Sequence, residues 1–356
     1  MKVAIRVDGS LFIGMGHVIR SLALGSAFRR GGHEVVYFSR FEPGISRLRS
    51  AGFMAETFCA GLPDGPGKEY EPAKDGEALR QLLAVQEFDC LVTDSYRVDE
   101  SYFAAVRSAV PVSVYVDDLN RFPADVDGLI NGNINAEALG YEKWPVTVRR
   151  WLGCRYNLLR ADFRDLPTRT TSTVVRTILL TGGGGDSGPV LAFLAQCLLD
   201  SPIFAATCLE MVAPSQSIAD ADLTDLSQRY PRQVRLHRDV TDMAALMQQC
   251  DLAISAGGTT LYELCAVGAP RIAYVLASNQ RGIVEEMARQ ELAINLGQVM
   301  ELKPVVIVGA VAELVGDLTR RDLMSRRGRE LVDGKGADRL VSAIEEVASA
   351  VGGTRI

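Results

Sequence analysis

The chain has few of the residues that build metal centres or disulfide frameworks. It contains only three histidines, His17, His33 and His237, and their spacing matches no metal site. Its seven cysteines are scattered, odd in number and never paired as C-x-x-C. We therefore expect no bound metal, and reduced, mostly buried thiols in a cytoplasmic protein.

Long apolar runs and a surplus of positive charge are also lacking. No apolar stretch reaches the length of a membrane span, and the opening MKVAIRVDGS is typical of a strand and lacks the apolar core of a secretory signal. The formal net charge of −6 argues against nucleic acid or an anionic membrane as a partner. The sequence leaves the oligomeric state open.

Strand-like and helix-like segments alternate along almost the whole chain. The predicted strands of the first half lie at 3–7, 34–38, 90–93, 112–116 and 128–131, and those of the second half are RTILL, CLEMVA, VRLHR, DLAIS and RIAYVL. The segment 131–153 shows no clear period, and the last third is predicted to be helical. This alternation over 356 residues predicts an α/β fold of the GT-B-like kind, with two Rossmann-like domains facing across a cleft.

The polar segment 164–175, with its single proline, predicts a linker between the two halves. We expect an N-terminal domain over 1–163 and a C-terminal domain over 176–335. A last helix lies within 336–356, and the sequence leaves open whether it packs on the N-terminal domain.

The first glycine turn precedes a histidine. Residues 14–32, GMGHVIRSLALGSAFRRGG, lie between two strand-like segments and predict a β-α-β unit with parallel strands. Gly16 and His17 fall where the helix begins, at the edge of the sheet where α/β proteins bind ligands and where free N–H groups favour anions. Two interpretations of His17 are open. Its side chain faces a phosphate or a reacting atom, or it is a surface histidine on a tight turn, and this stretch alone does not favour one interpretation over the other.

A second glycine loop, TGGGGDSG at 181–188, follows a strand and opens a helix. Gly183, Gly185 and Gly188 match G-x-G-x-x-G, but a dinucleotide site also needs an acidic residue at the end of the next strand. That strand ends in Ala213-Pro214, so we discount NAD and expect no cofactor. Gly183 still lets the backbone approach a ligand closely, and a plain tight turn is the alternative.

A third loop, SAGGTTLYELCAVGAP at 255–270, carries more information. Gly257 and Gly258 leave N–H groups open after a buried strand, and a helix begins at once. Thr259 and Thr260 add hydroxyls, which suits a diphosphate without a lysine or a metal. Glu263 is placed to accept hydrogen bonds from two ribose hydroxyls. The alternative is a capping box with Thr260 as N-cap and Glu263 at N3, but the convergence of five such residues favours a nucleotide site.

Other nucleotide and hydrolase motifs are missing. There is no G-x-x-x-x-G-K-[ST] and no G-x-S-x-G. Asp117-Asp118 invites a metal interpretation, but no third ligand lies nearby, so we prefer a solvated strand end or a capped turn.

These segments resemble known proteins. SAGGTTLYELCAVGAP is similar to the donor-nucleotide motif of GT-B glycosyltransferases of the MurG type. RVDGSLFIGMGHVIRSLALGSAF resembles the opening of a narrower group, the PseG/SpsG family, as do LVTDSYRVD, VYVDDLNR, YNLLRADF and SNQRGIVEEMA. That family includes the UDP-2,4-diacetamido-2,4,6-trideoxy-β-L-altropyranose hydrolase of pseudaminic acid biosynthesis. The likeness runs from Met1 to about Gly297.

The resemblance implies a role for each matching residue. It places the catalytic groups at His17, Tyr96 and Asn279, with His17 helping to activate water. It places UDP at Gly257, Gly258, Thr259, Thr260 and Glu263, and the sugar at Asp94 and Gln280. From the glycine turns themselves we add Gly183 to the UDP site and Gly16 to the sugar site. The structural alternatives are a strand-end turn for Asp94 and Tyr96 and an N-cap for Asn279.

The resemblance leaves three functions to compare. The first is hydrolysis of a UDP-linked deoxy or diacetamido sugar in nonulosonic acid or surface polysaccharide biosynthesis, with neutral His17 accepting a proton from water. The helix N-terminus disfavours the imidazolium and helps keep His17 neutral. The second is a GT-B glycosyltransferase with a UDP-amino sugar donor, and the third is a catalytically silent UDP-sugar-binding module.

Overall fold

The structure is a computed structural model that describes residues 1–10, 13–58, 70–183, 187–214 and 217–353. The chain divides into two compact units. Unit 1 comprises Met1–Ala161 together with Lys335–Ile356, and unit 2 comprises Asp162–Gly334. Unit 1 is therefore built from both ends of the chain, and unit 2 from one continuous segment.

Unit 1 is built on a seven-stranded parallel sheet in the order β3-β2-β1-β4-β5-β6-β7. Its strands are β1 (Lys2–Val7), β2 (Glu34–Ser39), β3 (Met54–Thr57), β4 (Cys90–Asp94), β5 (Val112–Val116), β6 (Gly128–Asn131) and β7 (Arg149–Leu152). Its helices are α1 (Gly16–Arg30), α2 (Glu42–Ser50), α3 (Pro72–Gln86), α4 (Glu100–Val106) and α12 (Gly336–Gly353). The strand order reverses between β1 and β4, which is where ligands bind in such sheets.

The last helix belongs to the core of unit 1. α12 packs against α1, and Leu340 and Ile344 lie in the same apolar cluster as Val3 and Ile5 of β1. Arg30 at the end of α1 donates to Asp338 at 2.7 Å. α12 thus packs on the N-terminal sheet and helix, a question that the sequence left open.

Unit 2 contains a six-stranded parallel sheet in the order β10-β9-β8-β11-β12-β13. Its strands are β8 (Thr177–Thr181), β9 (Cys208–Ala213), β10 (Val234–Arg238), β11 (Leu252–Ala256), β12 (Arg271–Val275) and β13 (Ile294–Gln298). Its helices are α5 (Gly188–Leu199), α6 (Asp220–Arg229), α7 (Met243–Gln249), α8 (Thr259–Val267), α9 (Arg281–Arg289), α10 (Pro304–Gly316) and α11 (Leu318–Leu331). Here the order reverses between β8 and β11, the strands that precede the second and third glycine loops.

Two buried arginines of unit 2 donate to backbone carbonyl oxygens. Arg321, 1% exposed, donates to the carbonyl oxygens of Leu314 at 2.8 Å, near the end of α10, and of Ser172 at 2.9 Å. Arg271, fully buried, donates to Met324 O at 2.7 Å. The Leu314 carbonyl lies in the last turn of α10, where carbonyl oxygens carry partial negative charge and stabilise a buried cation.

The predicted α/β alternation is confirmed, with three strands added. β3, β7 and β13 were not predicted; β7 lies inside the segment 131–153 that shows no clear period. These strands are only partly buried and mix polar with apolar residues, which conceals the strand period. No helix in the described part of the chain is long and apolar enough to cross a membrane. Of the six cysteines within it, five are buried.

Candidate active site

His17 lies at the start of α1, as the glycine turn predicts. α1 begins at Gly16, so the imidazole stands on the first turn of the helix, next to the carboxyl end of β1. Gly14 has a φ of +81°. A Cβ on Gly9 would lie 2.5 Å from Val18 Cγ2, so only glycine lets the loop pass this close to the helix. The loop is thereby tied to α1 beside the histidine.

Asp94 contacts the imidazole directly. Its Oδ1 lies 2.6 Å from His17 Nδ1, and the carboxylate is 1% exposed at the end of β4. Arg20 Nη2 also lies 3.1 Å from Nδ1, but it and Nδ1 are each 2.6 Å from Asp94 Oδ1, so the carboxylate oxygen is the shared acceptor. Because an ionised carboxylate carries no hydrogen, its contact with the imidazole requires a proton on Nδ1. In the neutral imidazole Nε2 is then the proton acceptor. The resemblance assigned Asp94 to the sugar, whereas both of its oxygens here contact His17 or Arg20.

Arg20 joins two aspartates behind the histidine. It lies one turn beyond His17 on α1 and donates from Nε to Asp94 Oδ2 at 2.7 Å and from Nη2 to Asp94 Oδ1 at 2.6 Å. Its Nη1 donates to Asp118 Oδ2 at 2.7 Å. A bidentate arginine fixes the plane of a carboxylate, so Arg20 fixes the oxygen that contacts His17.

The charges of this network reinforce one another. Burial by itself would raise the pKa of Asp94, but Arg20 and His17 outweigh it and hold that pKa well below its usual range. Burial would also raise the pKa of Asp118, but the charge of Arg20 and the hydrogen bond from the Tyr96 hydroxyl outweigh burial and lower that pKa. Burial would lower the pKa of Arg20, but Asp118 and Asp94 raise it well above its usual value. At neutral pH both carboxylates are ionised and the guanidinium is charged.

Tyr96 contacts both the histidine and the network. Its ring meets the His17 ring edge-on, with centroids 4.4 Å apart. Its hydroxyl donates to Asp118 Oδ2 at 2.6 Å, and Asn133 Nδ2 donates to Asp118 Oδ1 at 2.7 Å. The predicted residues Gly16, His17, Asp94 and Tyr96 therefore come together in unit 1.

The neighbouring residues Asp117 and Asp118 make different contacts. Asp117 accepts the backbone N–H groups of Leu119 and Asn120 at 3.0 and 2.8 Å, which is the capped turn that we preferred. Asp118 is not a solvated strand end, because its side chain is 10% exposed and ion-paired with Arg20. Within the described residues no group of three or more His, Cys, Asp and Glu side chains is placed to hold a metal.

The third glycine loop stands at the carboxyl end of β11 in unit 2. Gly257 follows the strand, and a Cβ on it would lie 2.3 Å from Val284 Cγ2 of α9. Gly258 is the N-cap of α8, in extended backbone and without a side-chain cap. Thr259 and Thr260 therefore occupy the first turn of the helix, where N–H groups lack partners within the helix.

Gly183 and Gln280 lie beside this loop. Gly183, with a φ of +78°, ends the described part of the second loop, and a Cβ on it would be 3.5 Å from Thr260 Oγ1. Gly185 lies outside the described residues. Gln280 Oε1 accepts the Leu276 N–H at 3.0 Å, and its Nε2 would lie 3.6 Å from a Cβ on Gly258. Gln280 thus holds the turn after β12 against the glycine loop.

Two structural alternatives for unit 2 are wrong. The N-cap of α8 is Gly258, so Thr260 and Glu263 do not form a capping box. Glu263 is 7% exposed, one turn into the helix. Asn279 is not the N-cap of α9 either; it is exposed within the 3-10 turn Ser278–Gln280, and Gln280 occupies the N-cap.

Sequence reasoning missed the residues behind His17. Arg20 was not singled out, although its place three residues after His17 puts it on the same face of a helix. Asp118 was noticed only as half of an acidic pair, and Asn133 not at all. The available clue is that Asp94 ends β4 and Asp118 follows the neighbouring strand β5 by two residues.

Comparison with family models gives no match. Three curated proteins are each 22% identical to the chain. Spore coat polysaccharide biosynthesis protein SpsG of Bacillus subtilis aligns over 98% of both chains. The UDP-2,4-diacetamido-2,4,6-trideoxy-beta-L-altropyranose hydrolase of Campylobacter jejuni aligns over 82% of this chain and 97% of its own length. An uncharacterized protein of Methanocaldococcus jannaschii, MJ1062, aligns over 85% of this chain, which spans 61% of that protein.

Solved structures share the fold. MurG of Acinetobacter baumannii has a TM-score of 0.67 at 15% identity and covers 97% of this chain and 100% of its own. The glycosyltransferase VinC, solved in complex with dTDP, has a TM-score of 0.63 at 15% identity over 98% of this chain and 100% of its own. The predicted resemblance is confirmed: the chain has two parallel-sheet α/β domains that match GT-B glycosyltransferases over its length, and relatives of low identity named SpsG and the altropyranose hydrolase.

Proposed function

We propose that the chain hydrolyses a UDP-linked sugar and releases UDP and the free sugar, with His17 as the general base. The observation that carries this proposal is the 2.6 Å contact between Asp94 and His17 Nδ1, which leaves Nε2 to accept a proton. A histidine oriented by a buried carboxylate is the arrangement that proton-abstracting enzymes use to activate a weak nucleophile.

The step is a single displacement. The oxygen of a water molecule bonds to the anomeric carbon while its proton moves to His17 Nε2. The bond between the anomeric carbon and the diphosphate oxygen breaks, and UDP takes the electron pair. Asp94 stabilises the imidazolium that forms, an effect opposite to that of the helix N-terminus. The free sugar then first appears with inverted anomeric configuration.

UDP is assigned to unit 2. The N–H groups at the start of α8 and the hydroxyls of Thr259 and Thr260 suit a diphosphate and stabilise the charge that develops on the leaving group. Glu263 is assigned to the ribose hydroxyls, and Gly183, beside Thr260, to the diphosphate. Tyr96, Asn279 and Gln280 are assigned to the water and the sugar, with Gly16 at the edge of that site.

The relatives support the substrate class. One is named for hydrolysis of a UDP-diacetamido sugar and another for spore coat polysaccharide biosynthesis. A UDP-linked deoxy or diacetamido sugar of nonulosonic acid or surface polysaccharide biosynthesis is therefore the proposed substrate.

Glycosyl transfer is the second candidate. The fold is that of glycosyltransferases, and the same imidazole could take the proton of an acceptor hydroxyl. The test is incubation with a panel of UDP-amino sugars without any acceptor, with products identified by mass spectrometry. UDP and free sugar in equal amounts are expected. An intact substrate that is consumed only when an acceptor is added would favour transfer.

A further inference from the structure

Two arginines lie apart from the histidine network, at the same edge of the unit 1 sheet. Arg40 directly follows β2, and Arg97 lies three residues beyond β4, on either side of β1 in the sheet. Their guanidinium carbons lie 4.5 and 4.7 Å from the centroid of the Tyr70 ring. They lie 5.5 and 5.9 Å from the centroid of the Phe41 ring. We call these four residues the Arg40–Arg97 cluster.

Nearby carboxylates are occupied by another arginine. Arg6, fully buried, contacts Asp8 at 2.8 Å and Asp75 at 2.9 Å. Tyr70 donates its hydroxyl to Asp75 at 2.7 Å. Arg40 Nε is 3.4 Å from Asp75 Oδ1, an ion-pair distance without hydrogen-bond alignment, so neither atom has a hydrogen-bond partner. Among these described residues, the three guanidinium groups of Arg6, Arg40 and Arg97 outnumber the two carboxylates of Asp8 and Asp75.

Arg40 has unmet hydrogen-bonding capacity. Its side chain is 2% exposed, and among the described residues its buried Nε and Nη1 have no hydrogen-bond partner. Buried donors without partners are costly, and two guanidinium groups at one pair of rings repel each other. Both costs are removed by an oxyanion, which planar guanidinium groups bind in a forked geometry. Arg97 and Tyr70 are partly exposed and give access from solvent.

The cluster is connected to the histidine network by one residue. Ser95 follows Asp94, accepts the Arg97 N–H at 3.0 Å and lies 3.4 Å from Asp8 Oδ2. The end of β4 therefore orients His17 through Asp94 and positions the backbone of Arg97 through Ser95.

We propose that the Arg40–Arg97 cluster is a subsite for an oxyanion, a carboxylate or phosphate, carried by a substrate of this protein. The cation–π contacts hold the two side chains in place, and the anion supplies the missing acceptor. This inference rests on the proposed function only for the identity of the substrate; the oxyanion subsite itself does not depend on it.

The first test uses inorganic phosphate as the probe, titrated calorimetrically into the full chain with and without saturating UDP, which is included to occupy the diphosphate site proposed in unit 2. Arg97→Gln should weaken phosphate binding at least tenfold. Arg97→Lys, which keeps the charge but not the fork, should weaken it less. The matched control is Arg80→Gln, because Arg80 is an exposed arginine of α3 paired with Glu77, and it should change nothing. Equal phosphate affinity in wild type and Arg97→Gln would overturn the proposal whether or not the chain hydrolyses UDP-sugars.

The second test locates the anion on a substrate. UDP release from UDP-glucuronic acid and from UDP-glucose is compared in wild type and Arg97→Gln. If wild type releases UDP faster from UDP-glucuronic acid than from UDP-glucose, and Arg97→Gln loses this preference, the oxyanion belongs to the donor sugar. Arg97-dependent phosphate binding without such a preference places it on a second substrate, an acidic acceptor, and so favours transfer over hydrolysis.

Discussion

His17 Nδ1 and Asp94 Oδ1 are 2.6 Å apart, across the gap between the first turn of α1 and the end of β4. The contact joins two segments that are adjacent only because β1 and β4 pair in the sheet. It determines which imidazole nitrogen is protonated, and so which nitrogen can take a proton from a nucleophile.

His17→Asn should abolish most turnover while leaving UDP affinity near that of wild type, because the nucleotide is assigned to unit 2. The expected loss is about 10²–10⁴-fold, the contribution of one positioned proton acceptor. UDP affinity and acceptor-free UDP release by wild type and variant are the measurements. Near-wild-type release by the variant would remove His17 from the mechanism.

Acid should destabilise unit 1 through Asp94. The pKa of this carboxyl is held well below its usual range by Arg20 and His17, against the effect of burial. The group therefore contributes stability that is fully present above the unfolded pKa of about 4 and is lost as the pH falls from there through the folded pKa. Asp94→Asn should unfold more easily at neutral pH, by about 1–3 kcal/mol, with a shallower dependence on pH below about 4.

Tryptophan fluorescence isolates this effect, because the only two tryptophans of the chain, Trp144 and Trp151, both lie in unit 1. Denaturant titrations followed at that signal give the free energy of unfolding of unit 1 at each pH. The same slope against pH in wild type and variant would show that the Asp94 carboxylate does not carry the acid sensitivity.

Glu263→Ala should weaken UDP binding by about ten- to hundredfold, the loss expected when a charged acceptor of ribose hydroxyls is removed. Calorimetry with UDP is the measurement, and Glu285→Ala, on an exposed site of α9 in the same unit, is the matched control. Unchanged UDP affinity with a lowered melting temperature would assign Glu263 to the fold alone.

UDP should bind in excess EDTA as well as it does without chelator. The assigned site consists of N–H groups, hydroxyls and one carboxylate, and a Mg²⁺ site normally uses carboxylates together with substrate phosphates. Calorimetric titration with UDP, first in EDTA and then with added magnesium or manganese, makes the comparison. Binding seen only after the metal is added would contradict this prediction.

Much of the fold could be predicted from the sequence, but the hydrogen bonds and ion pairs between the site residues could not. Buried parallel strands such as β4 and β5 are continuous apolar runs, and the glycine turn before His17 marks the entry to a helix, so both were predicted. The ion pairs of Arg20 with Asp94 and Asp118 join residues distant in sequence, and no local pattern encodes them. For Asp94 the family resemblance suggested a sugar contact, and only the positions of its two oxygens point to a role behind the histidine.

Unit 1 is formed from two separate parts of the chain, and this affects the order in which the two units are completed during synthesis. Leu340 and Ile344 of α12 belong to the core that surrounds β1, so this core is incomplete until the ribosome has passed Lys335. Unit 2 is one continuous segment that precedes Lys335, so all of its residues are synthesised before the core of unit 1 is complete. The helix that carries His17 and the strand that carries Asp94 therefore gain their full packing only after α12 has been made.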